Sequence, residues 1–272
     1  MSKLKMWNEK ISWEESLNCW EMGAKKAEKR SPLKTIKVLP NQIGITPDTA
    51  KGLKWKSLKY MITHDKEFHV LKGFLKHPLK YGLGLIKSAL KTKPYSREGD
   101  FFLYGIKSLE EFKTRIKEKN SLFVIGFSYC HKPFECPSGR FTDGCIHDPE
   151  HPVCRQCFIG KSINALPEKE IITLIIPTIH YIGKHIFNVV HSNPNKKVLF
   201  MITACELTLE MFGDWGNMVQ IKGVGVRLDG RICNTMKAFE LSEEGIKPGL
   251  TVVLEETKSK MLDIIRLLWN KS

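Results

Sequence analysis

From Phe101 onward, short apolar runs alternate with segments in which apolar residues recur at helical spacing. An apolar run of strand length that is bounded by turn residues predicts a buried β-strand. On this basis, strands are predicted at residues 101–104, 121–127, 170–176, 197–203 and 218–226. The segments that connect them are long enough for helices, which favours βαβ units, a parallel-type sheet and a three-layer α/β fold.

Helices are predicted between and after these strands. Ser108, with Glu111 three residues later, has the pattern of a capping box at the start of a helix over residues 109–118. Further helices are expected at residues 159–166 and 180–191. The tail over residues 250–269 places apolar residues on one helical stripe: Leu254, Met261, Ile264, Ile265 and Leu268.

Charge divides the chain into two parts. Residues 1–120 carry 26 Lys and Arg against 13 Asp and Glu, whereas residues 121–272 carry 17 against 16. We therefore predict a basic, mainly helical N-terminal region over residues 1–99 and an α/β cysteine-rich metal-binding domain over residues 100–272.

The basic charge is densest in the segment that begins at Lys51 and ends at Lys93, with eleven lysines and two acidic residues. Its apolar residues recur at helical spacing. We predict two basic amphipathic helices that are broken near Pro78, the second of them weakened by Gly82 and Gly84.

Cysteines are concentrated in the second part of the chain. Seven of the eight lie between residues 130 and 233, and five of those lie within residues 130–157. The seven are Cys130, Cys136, Cys145, Cys154, Cys157, Cys205 and Cys233. No apolar run follows the first lysines and no segment reaches the length of a membrane span, so we expect a cytoplasmic chain without a transmembrane segment. In that reducing compartment, dense thiols favour metal ligation over disulfides.

Three of these cysteines follow the carboxyl ends of different predicted strands. Cys130 comes just after residues 121–127, Cys205 just after residues 197–203, and Cys233 follows the last strand by a loop. Ligands of parallel α/β sheets bind outside the carboxyl ends of the strands. We therefore expect the cysteine-rich loop and these three residues to meet at that edge of the sheet.

The type of metal is open at this level. Cys154 and Cys157 form one C-x-x-C pair without a second, which excludes a zinc ribbon, and the gaps between the other cysteines are unlike compact ferredoxin spacing. His131, His147 and His151 lie in the loop and are secondary candidates for ligands, whereas the helical spacing of His180, His185 and His191 does not put them on one face. Cys19 is isolated and receives no role.

Four segments, ECP, VCRQCFIGKSINAL, FMITACELTLEMFG and GVGVRLDGRICNT, resemble the prokaryotic family catalogued as domain of unknown function 116. The resemblance covers about residues 121–240. It implies a cysteine-ligated site, preferably an iron–sulfur cluster, at Cys130, Cys136, Cys154, Cys157, Cys205 and Cys233. The chain departs from the family at Phe158-Ile159-Gly160 and at Arg231-Ile232, so that Cys145 or a histidine replaces a ligand there.

These observations favour a [4Fe-4S] protein that acts in electron transfer or as a redox or metal accessory factor. The first alternative is an enzyme with an open-coordination cluster, in which Glu206, Thr178 or Asn234 supplies polar or proton-transfer groups. The second is a structural zinc protein that mediates interactions. A closed shell of four protein ligands would favour the carrier, and three ligands with an open position would favour the enzyme.

The basic segment predicts an anionic partner. An acidic protein or an anionic membrane surface fits residues 51–93 because apolar side chains interleave with the lysines there, and we name Phe68, Phe74, Leu75, Tyr81 and Ile86 as those side chains. Nucleic acid is the least supported partner because arginine is scarce and no recognition motif is present. The expected location is the cytoplasm, with peripheral attachment to a membrane as the alternative.

Overall fold

The computed structural model of this chain describes residues 11–34, 44–65, 68–90, 93–168 and 170–269. Its helices are α1 (Trp13–Arg30), α2 (Pro47–Ala50), α3 (Leu53–Thr63), α4 (His69–Leu75), α5 (Pro78–Ala89), α6 (Leu109–Arg115), α7 (Pro152–Gln156), α8 (Phe158–Asn164), α9 (Ile179–Ser192), α10 (Glu206–Met218), α11 (Met236–Glu243) and α12 (Glu255–Trp269). Its strands are β1 (Ser96–Glu98), β2 (Phe101–Tyr104), β3 (Ser121–Ser128), β4 (Ile171–Ile176), β5 (Lys197–Ala204), β6 (Lys222–Arg227), β7 (Asp229–Gly230) and β8 (Thr251–Val252).

Six strands form the central sheet, in the order β1-β2-β6-β5-β3-β4. Four strands pair in parallel through three pairings: β3 pairs with β4 and β5, and β5 pairs with β6. Strands β1 and β2 close one edge in antiparallel orientation. The predicted three-layer α/β fold with a mostly parallel sheet is confirmed.

Successive residues of each strand face opposite sides of the sheet, as the pleat requires. In β3, Phe123, Ile125 and Phe127 belong to one core while Val124 belongs to the other. Helices α1, α6, α8 and α12 cover the first side, and α3, α4, α5, α9, α10 and α11 cover the second. We call the first side the loop side, since it carries the cysteine-rich loop. We call the second the stripe side, since its helices α4 and α5 expose a row of large apolar side chains to solvent.

The order of the parallel strands reverses between β3 and β5. From β3 the chain crosses the loop side to reach β4, and it returns across the stripe side through α9 to β5 and through α10 to β6. Such a reversal opens a crevice at the carboxyl ends of the two adjacent strands, where α/β proteins bind their ligands. Cys130 and Cys205 directly follow these two strands.

Helices of the basic N-terminal region pack onto the α/β part. Helix α1 lies against α7, α4 against α9, and α5 against α10. Trp13 and Trp20 of α1 are buried in the core of the loop side, and Tyr81 of α5 is buried in the core of the stripe side. No helix in the described part of the chain has the length and apolar character that crossing a bilayer requires.

Two predictions about the elements are wrong in detail. The predicted strand at residues 218–226 begins only at Lys222, because Met218 ends helix α10 and Gln220 turns the chain with a positive φ of 59°. The basic segment forms three helices, α3, α4 and α5, where two were predicted. The break at Pro78 is confirmed, and residues 66, 67, 91 and 92 of this segment lie outside the described residues.

The glycines of α5 allow a close helix contact and do not interrupt the helix. A Cβ at Gly84 would lie 2.8 Å from the Met218 carbonyl oxygen of α10. A side chain at this position would therefore push the two helices apart. The small residue lets α5 approach α10 closely, which outweighs the low helix propensity of glycine.

Candidate metal centre

Seven thiols divide into two groups according to which of them interact. Cys130, Cys205 and Cys233 affect one another's pKa values at the carboxyl edge of the sheet, and we call them the edge thiols. Within the cysteine-rich loop and α7, the thiols of Cys154 and Cys157 both interact with those of Cys136 and Cys145. We call these four the loop thiols. All eight cysteines, including the exposed Cys19, are free thiols.

Ordinary turn chemistry places the first two edge thiols. Cys130 lies in a short 3-10 turn after β3, and its backbone N–H donates to the Ser128 hydroxyl at 3.3 Å. The Ser128 N–H in turn donates to the Thr203 hydroxyl of β5 at 3.1 Å, which ties the ends of the two strands together. Cys205 occupies the N-cap of α10. The expected meeting of Cys130 and Cys205 at this edge is observed.

Cys233 arrives from a separate loop after β7 and is almost completely buried. A hydrogen bond from Cys205 is the main reason that the pKa of Cys233 falls to about 5, and Lys247 lowers it further. The same hydrogen bond, together with burial, raises the pKa of Cys205 well above its ordinary value. The Cys205 side chain and the Lys247 ammonium thus favour ionisation of Cys233 before that of Cys205.

Two cations stand beside the edge thiols. The Lys247 ammonium donates to Cys233 Sγ at 3.1 Å. Burial acts to lower the pKa of Lys247, but the neighbouring Cys130 and Cys233 outweigh it and raise this pKa above its ordinary value. The Arg140 guanidinium donates to the carbonyl oxygens of Cys130 at 3.3 Å and Lys247 at 2.7 Å. Positive charge at this site favours anionic sulfur ligands.

A carboxyl group approaches the same site from α11. Glu243 accepts a hydrogen bond from the Ile179 N–H at 2.8 Å, yet burial raises the pKa of Glu243 to about 8, with Cys233 contributing. Glu243 also lines a cavity of about 350 Å³ outside the end of β4, together with Thr178 and His180. A protonated carboxyl thus lies between this cavity and the edge thiols.

The three polar residues that the sequence offered for catalysis have structural contacts. Thr178 accepts from the Tyr181 N–H at 3.1 Å as the N-cap of α9. Glu206 pairs with Arg97 at 2.8 Å in the first turn of α10. The Asn234 carbonyl oxygen accepts from the Thr46 N–H at 3.1 Å. Of the three, Thr178 alone lines the cavity beside Glu243.

The loop thiols are buried to different degrees around the junction of α7 and α8. Burial raises the pKa of Cys154 to about 11 and that of Cys157 to about 12. The backbone N–H groups of Gly160 and Ile159, in the first turn of α8, act in the opposite direction and lower the pKa of Cys157. Hydrogen bonds from backbone amides to sulfur are one means by which proteins stabilise metal-bound thiolates.

Gly160 is a close-approach position within this junction. A Cβ there would lie 2.4 Å from the Cys154 carbonyl oxygen. The role of Gly160 is to let the start of α8 fold against α7, which keeps Cys154 and Cys157 adjacent.

A buried lysine holds the rest of the cysteine-rich loop. Lys132 is 1% exposed, and its ammonium donates to the Thr142 hydroxyl at 2.9 Å, to the Gly144 carbonyl oxygen at 2.9 Å and to the Thr142 carbonyl oxygen at 3.3 Å. Asn164 of α8 donates to the His147 carbonyl oxygen at 2.8 Å. These hydrogen bonds fix the path of residues 136–147, which form neither a helix nor a strand.

The loop histidines have distinct environments. His151 Nδ1 accepts from the Val153 N–H at 3.2 Å and caps α7, and His147 Nδ1 lies 2.9 Å from the Cys145 carbonyl oxygen. His131 is buried against Phe158, its Nδ1 has no hydrogen-bond partner, and burial lowers its pKa to about 3. His131 Nδ1 is thus a buried ligating atom without a hydrogen-bond partner.

The histidines of α9 make contacts with residues other than the thiols. His191 Nε2 lies 3.0 Å from the Tyr81 hydroxyl, and His180 Nε2 lies 3.3 Å from the Met61 carbonyl oxygen. The His185 ring lies tilted against that of Tyr181, with 4.2 Å between the ring centroids. These contacts are of the kind that core and surface histidines make.

Lys132, Arg140, Glu243 and Lys247 are the residues of this region that sequence reasoning missed. Their spacing along the chain carries no signal, because their contacts in this region depend on the tertiary path of the chain, which a pattern of residue types does not encode.

Among the residues that the structure describes, no group of three or more His, Cys, Asp and Glu side chains has an arrangement that could hold a metal ion. Comparison of the chain with protein-family models, with curated proteins and with solved structures gives no match.

Proposed function

We propose that this chain is an iron–sulfur redox protein with two metal centres, one at the loop thiols and one at the edge thiols. The division of seven thiols into a group of four and a group of three carries the proposal. Four cysteines complete the ligand set of one [4Fe-4S] cluster. Three cysteines leave one position of a second cluster open.

Donor chemistry supports a cluster at the loop thiols. All four donors are sulfur, backbone N–H groups face Cys157, and burial disfavours free thiolates there. Bound iron would supply the positive charge that stabilises these buried thiolates. The four sulfurs of such a cluster bind different iron atoms and therefore stand farther apart than the ligands of a single ion. A closed shell of this kind suits electron transfer, which is the first function that we propose.

Position and charge support the second centre. The edge thiols lie at the crevice between β3 and β5, where ligands of doubly wound sheets bind. Lys247 contacts Cys233 and would balance the negative charge of bound sulfur. An open position in this crevice supports the alternative function, an enzyme that binds a small substrate at the cluster. Glu243, with its raised pKa, is the proton donor that such an enzyme would offer.

We also propose membership of the family catalogued as domain of unknown function 116, on the motifs that surround the seven cysteines. For residues 51–93 we propose an anionic partner, either an acidic protein or an anionic membrane surface, and a cytoplasmic location with peripheral attachment. The excess of lysine in this segment supports that part of the proposal.

Anaerobic purification followed by iron and acid-labile sulfide analysis tests the metal assignment. We expect about eight iron atoms per chain, four for each cluster, and a brown protein with charge-transfer absorption. The paired variant Cys154→Ser/Cys157→Ser should retain about half of the iron, as should Cys205→Ser/Cys233→Ser, because each pair removes one centre. Cys19→Ser is the matched control and should retain all of it.

Three results would contradict the proposal. A colourless protein with stoichiometric zinc would replace iron–sulfur by structural zinc. Loss of all iron in both paired variants would indicate one shared centre. For the enzyme alternative, cyanide should change the electron paramagnetic resonance spectrum of the reduced wild type but not that of Cys205→Ser/Cys233→Ser, and an unchanged wild-type spectrum excludes an open iron.

A further inference from the structure

Helices α4 and α5 expose a row of large apolar side chains to solvent. Between 49% and 83% of each of these side chains is exposed. The row, which we call the α4–α5 stripe, consists of Leu71, Leu75, Leu79, Leu83, Ile86 and Leu90. Scattered apolar residues are normal on a protein surface, but a contiguous set marks an interaction site.

Helical spacing explains why the row is continuous. Leu79, Leu83, Ile86 and Leu90 follow one another at intervals of four, three and four residues, so they share one face of α5. Leu71 and Leu75 have the same spacing on α4. The stripe thus runs along both helices, on either side of the break at Pro78.

The opposite faces of both helices already pack against the protein. Val70 and Tyr81 are buried in the core of the stripe side, and a Cβ at Gly73 would lie 2.6 Å from the Phe187 ring of α9. The prediction that Tyr81 belongs to the surface that meets the partner is wrong. Tyr81 is 1% exposed, and its hydroxyl lies 3.0 Å from His191. The outward face carries leucine and isoleucine.

Lysines accompany the stripe in the sequence, and no acidic residue lies among them. A lysine directly follows Leu71, Leu75, Leu79 and Ile86 along the chain. Residues 68–97 contain six lysines, one arginine and no Asp or Glu. The long aliphatic part of lysine can lie along an apolar surface while its ammonium reaches an anionic layer. This surface therefore offers apolar contact and positive charge side by side.

We propose that the α4–α5 stripe docks on the surface of an anionic membrane, with its leucines in the interface and its lysines against the phosphates of acidic lipids. This goes beyond the metal centres and chooses between the two partners named for residues 51–93. An anionic lipid surface is apolar just below its charged layer, which matches leucines flanked by lysines. An acidic protein would have to place carboxylates and apolar pockets at fixed positions along two helices.

The layers of the fold set the orientation that follows. The stripe belongs to helices of the stripe side, whereas α8 belongs to the loop side, and Cys145 and Cys157 of the loop thiols pack against the core of that side. Docking through α4 and α5 therefore leaves the cysteine-rich loop on the layer away from the bilayer. The surface over this loop stays available to a soluble partner.

Sedimentation with liposomes tests the proposal. We expect the holoprotein to bind mixed vesicles of phosphatidylglycerol and phosphatidylcholine at low salt and to be released from them at high salt. It should not bind vesicles of pure phosphatidylcholine. Leu79→Ser/Leu83→Ser/Ile86→Ser should weaken binding at least about tenfold, since it removes the apolar contact. Lys72→Glu/Lys80→Glu/Lys87→Glu should weaken it at least about tenfold as well, since it reverses the charge.

Matched controls separate this surface from general effects. Met22→Ser/Ile246→Ser removes two exposed apolar side chains elsewhere, and Lys25→Glu/Lys26→Glu/Lys29→Glu makes the same charge change on α1. Both should bind like the wild type. Circular dichroism and iron content should be unchanged in all four variants, which keeps this test independent of the metal centres.

Three results would overturn the proposal. One is a protein that stays in the supernatant at every salt concentration. Another is equal loss of binding in the control variants, which would indicate nonspecific electrostatic or hydrophobic adsorption to vesicles in place of a defined docking surface. The third is a dimer in sedimentation velocity that the serine variant converts to a monomer while vesicles bind neither, which would assign the stripe to a second copy of the chain.

Discussion

The Lys247 ammonium donates a hydrogen bond to Cys233 Sγ at 3.1 Å, although the two residues come from different loops and are 14 positions apart. The Cys205 side chain is the first cause of the low pKa of Cys233, and this ammonium is a further one. The pKa of Cys205 moves in the opposite direction, so Cys233 ionises first. One sulfur is thus ready to bind a metal before the other loses its proton.

Removal of the Cys205 side chain should raise the pKa of Cys233. In the metal-free protein, Cys205→Ala should raise it by at least about one unit, because the largest stabilising contact of the thiolate is gone. Ultraviolet thiolate absorbance followed against pH measures the change, and the loss of this titration in Cys233→Ser assigns it. An unchanged titration in Cys205→Ala would show that Lys247 alone holds the thiolate.

Gly160 should be intolerant of a side chain. Gly160→Ala places a Cβ 2.4 Å from the Cys154 carbonyl oxygen, so α8 must shift away from α7. We expect a loss of about 1–3 kcal/mol in unfolding free energy and weaker metal retention at the loop thiols. Gly144→Ala is the control in the same loop, since its nearest contact would be an ordinary 3.7 Å. Equal stability of the two variants in denaturant titrations would contradict the close approach.

Strand positions were predictable because the sheet is buried on both sides. Parallel strands in such a sheet are almost continuously apolar, as in β3, where seven of eight residues are buried. The start of β6 was misplaced because Met218 and Val219, which end α10, are buried too. Burial alone does not distinguish the end of a buried helix from the start of a strand.

For the candidate site, residue spacing predicted the convergence of Cys130 and Cys205, since parallel strands end at one edge. It could not predict that the thiols divide into two groups, because this depends on the path of the loop between Cys136 and Cys154. That path is fixed by contacts such as those of Lys132 with Thr142. Residue type alone does not distinguish a buried lysine from one exposed to solvent.

Lys132 should be essential for the order of the cysteine-rich loop. Lys132→Met keeps the aliphatic volume but leaves the oxygens of Thr142 and Gly144 without their donor. We expect a loss of about 2–4 kcal/mol in unfolding free energy, as for other buried groups that lose a charged partner. Amide hydrogen exchange should rise across residues 133–146. Lys119→Met, on an exposed lysine, should change neither quantity.

Glu243 should make the metal-free protein less stable as pH rises. The carboxyl keeps its proton in the folded state up to a pKa of about 8, whereas its ordinary pKa is 4.5. Between these values the folded state binds more protons than the unfolded state, so the unfolding free energy falls with pH until the folded pKa is passed. Glu243→Gln still accepts from the Ile179 N–H but cannot ionise. We expect this variant to exceed the wild type above pH 8 by on the order of 1 kcal/mol or more.

Urea titrations of both proteins across this pH range measure the difference directly. The exposed neighbour Glu244 provides the control, since Glu244→Gln should follow the wild-type curve at every pH. Parallel curves for the wild type and Glu243→Gln would mean that Glu243 ionises at its ordinary pKa in the folded protein. In that case the carboxylate would repel the Cys233 thiolate, and Glu243 could not serve as the proton donor beside the edge thiols.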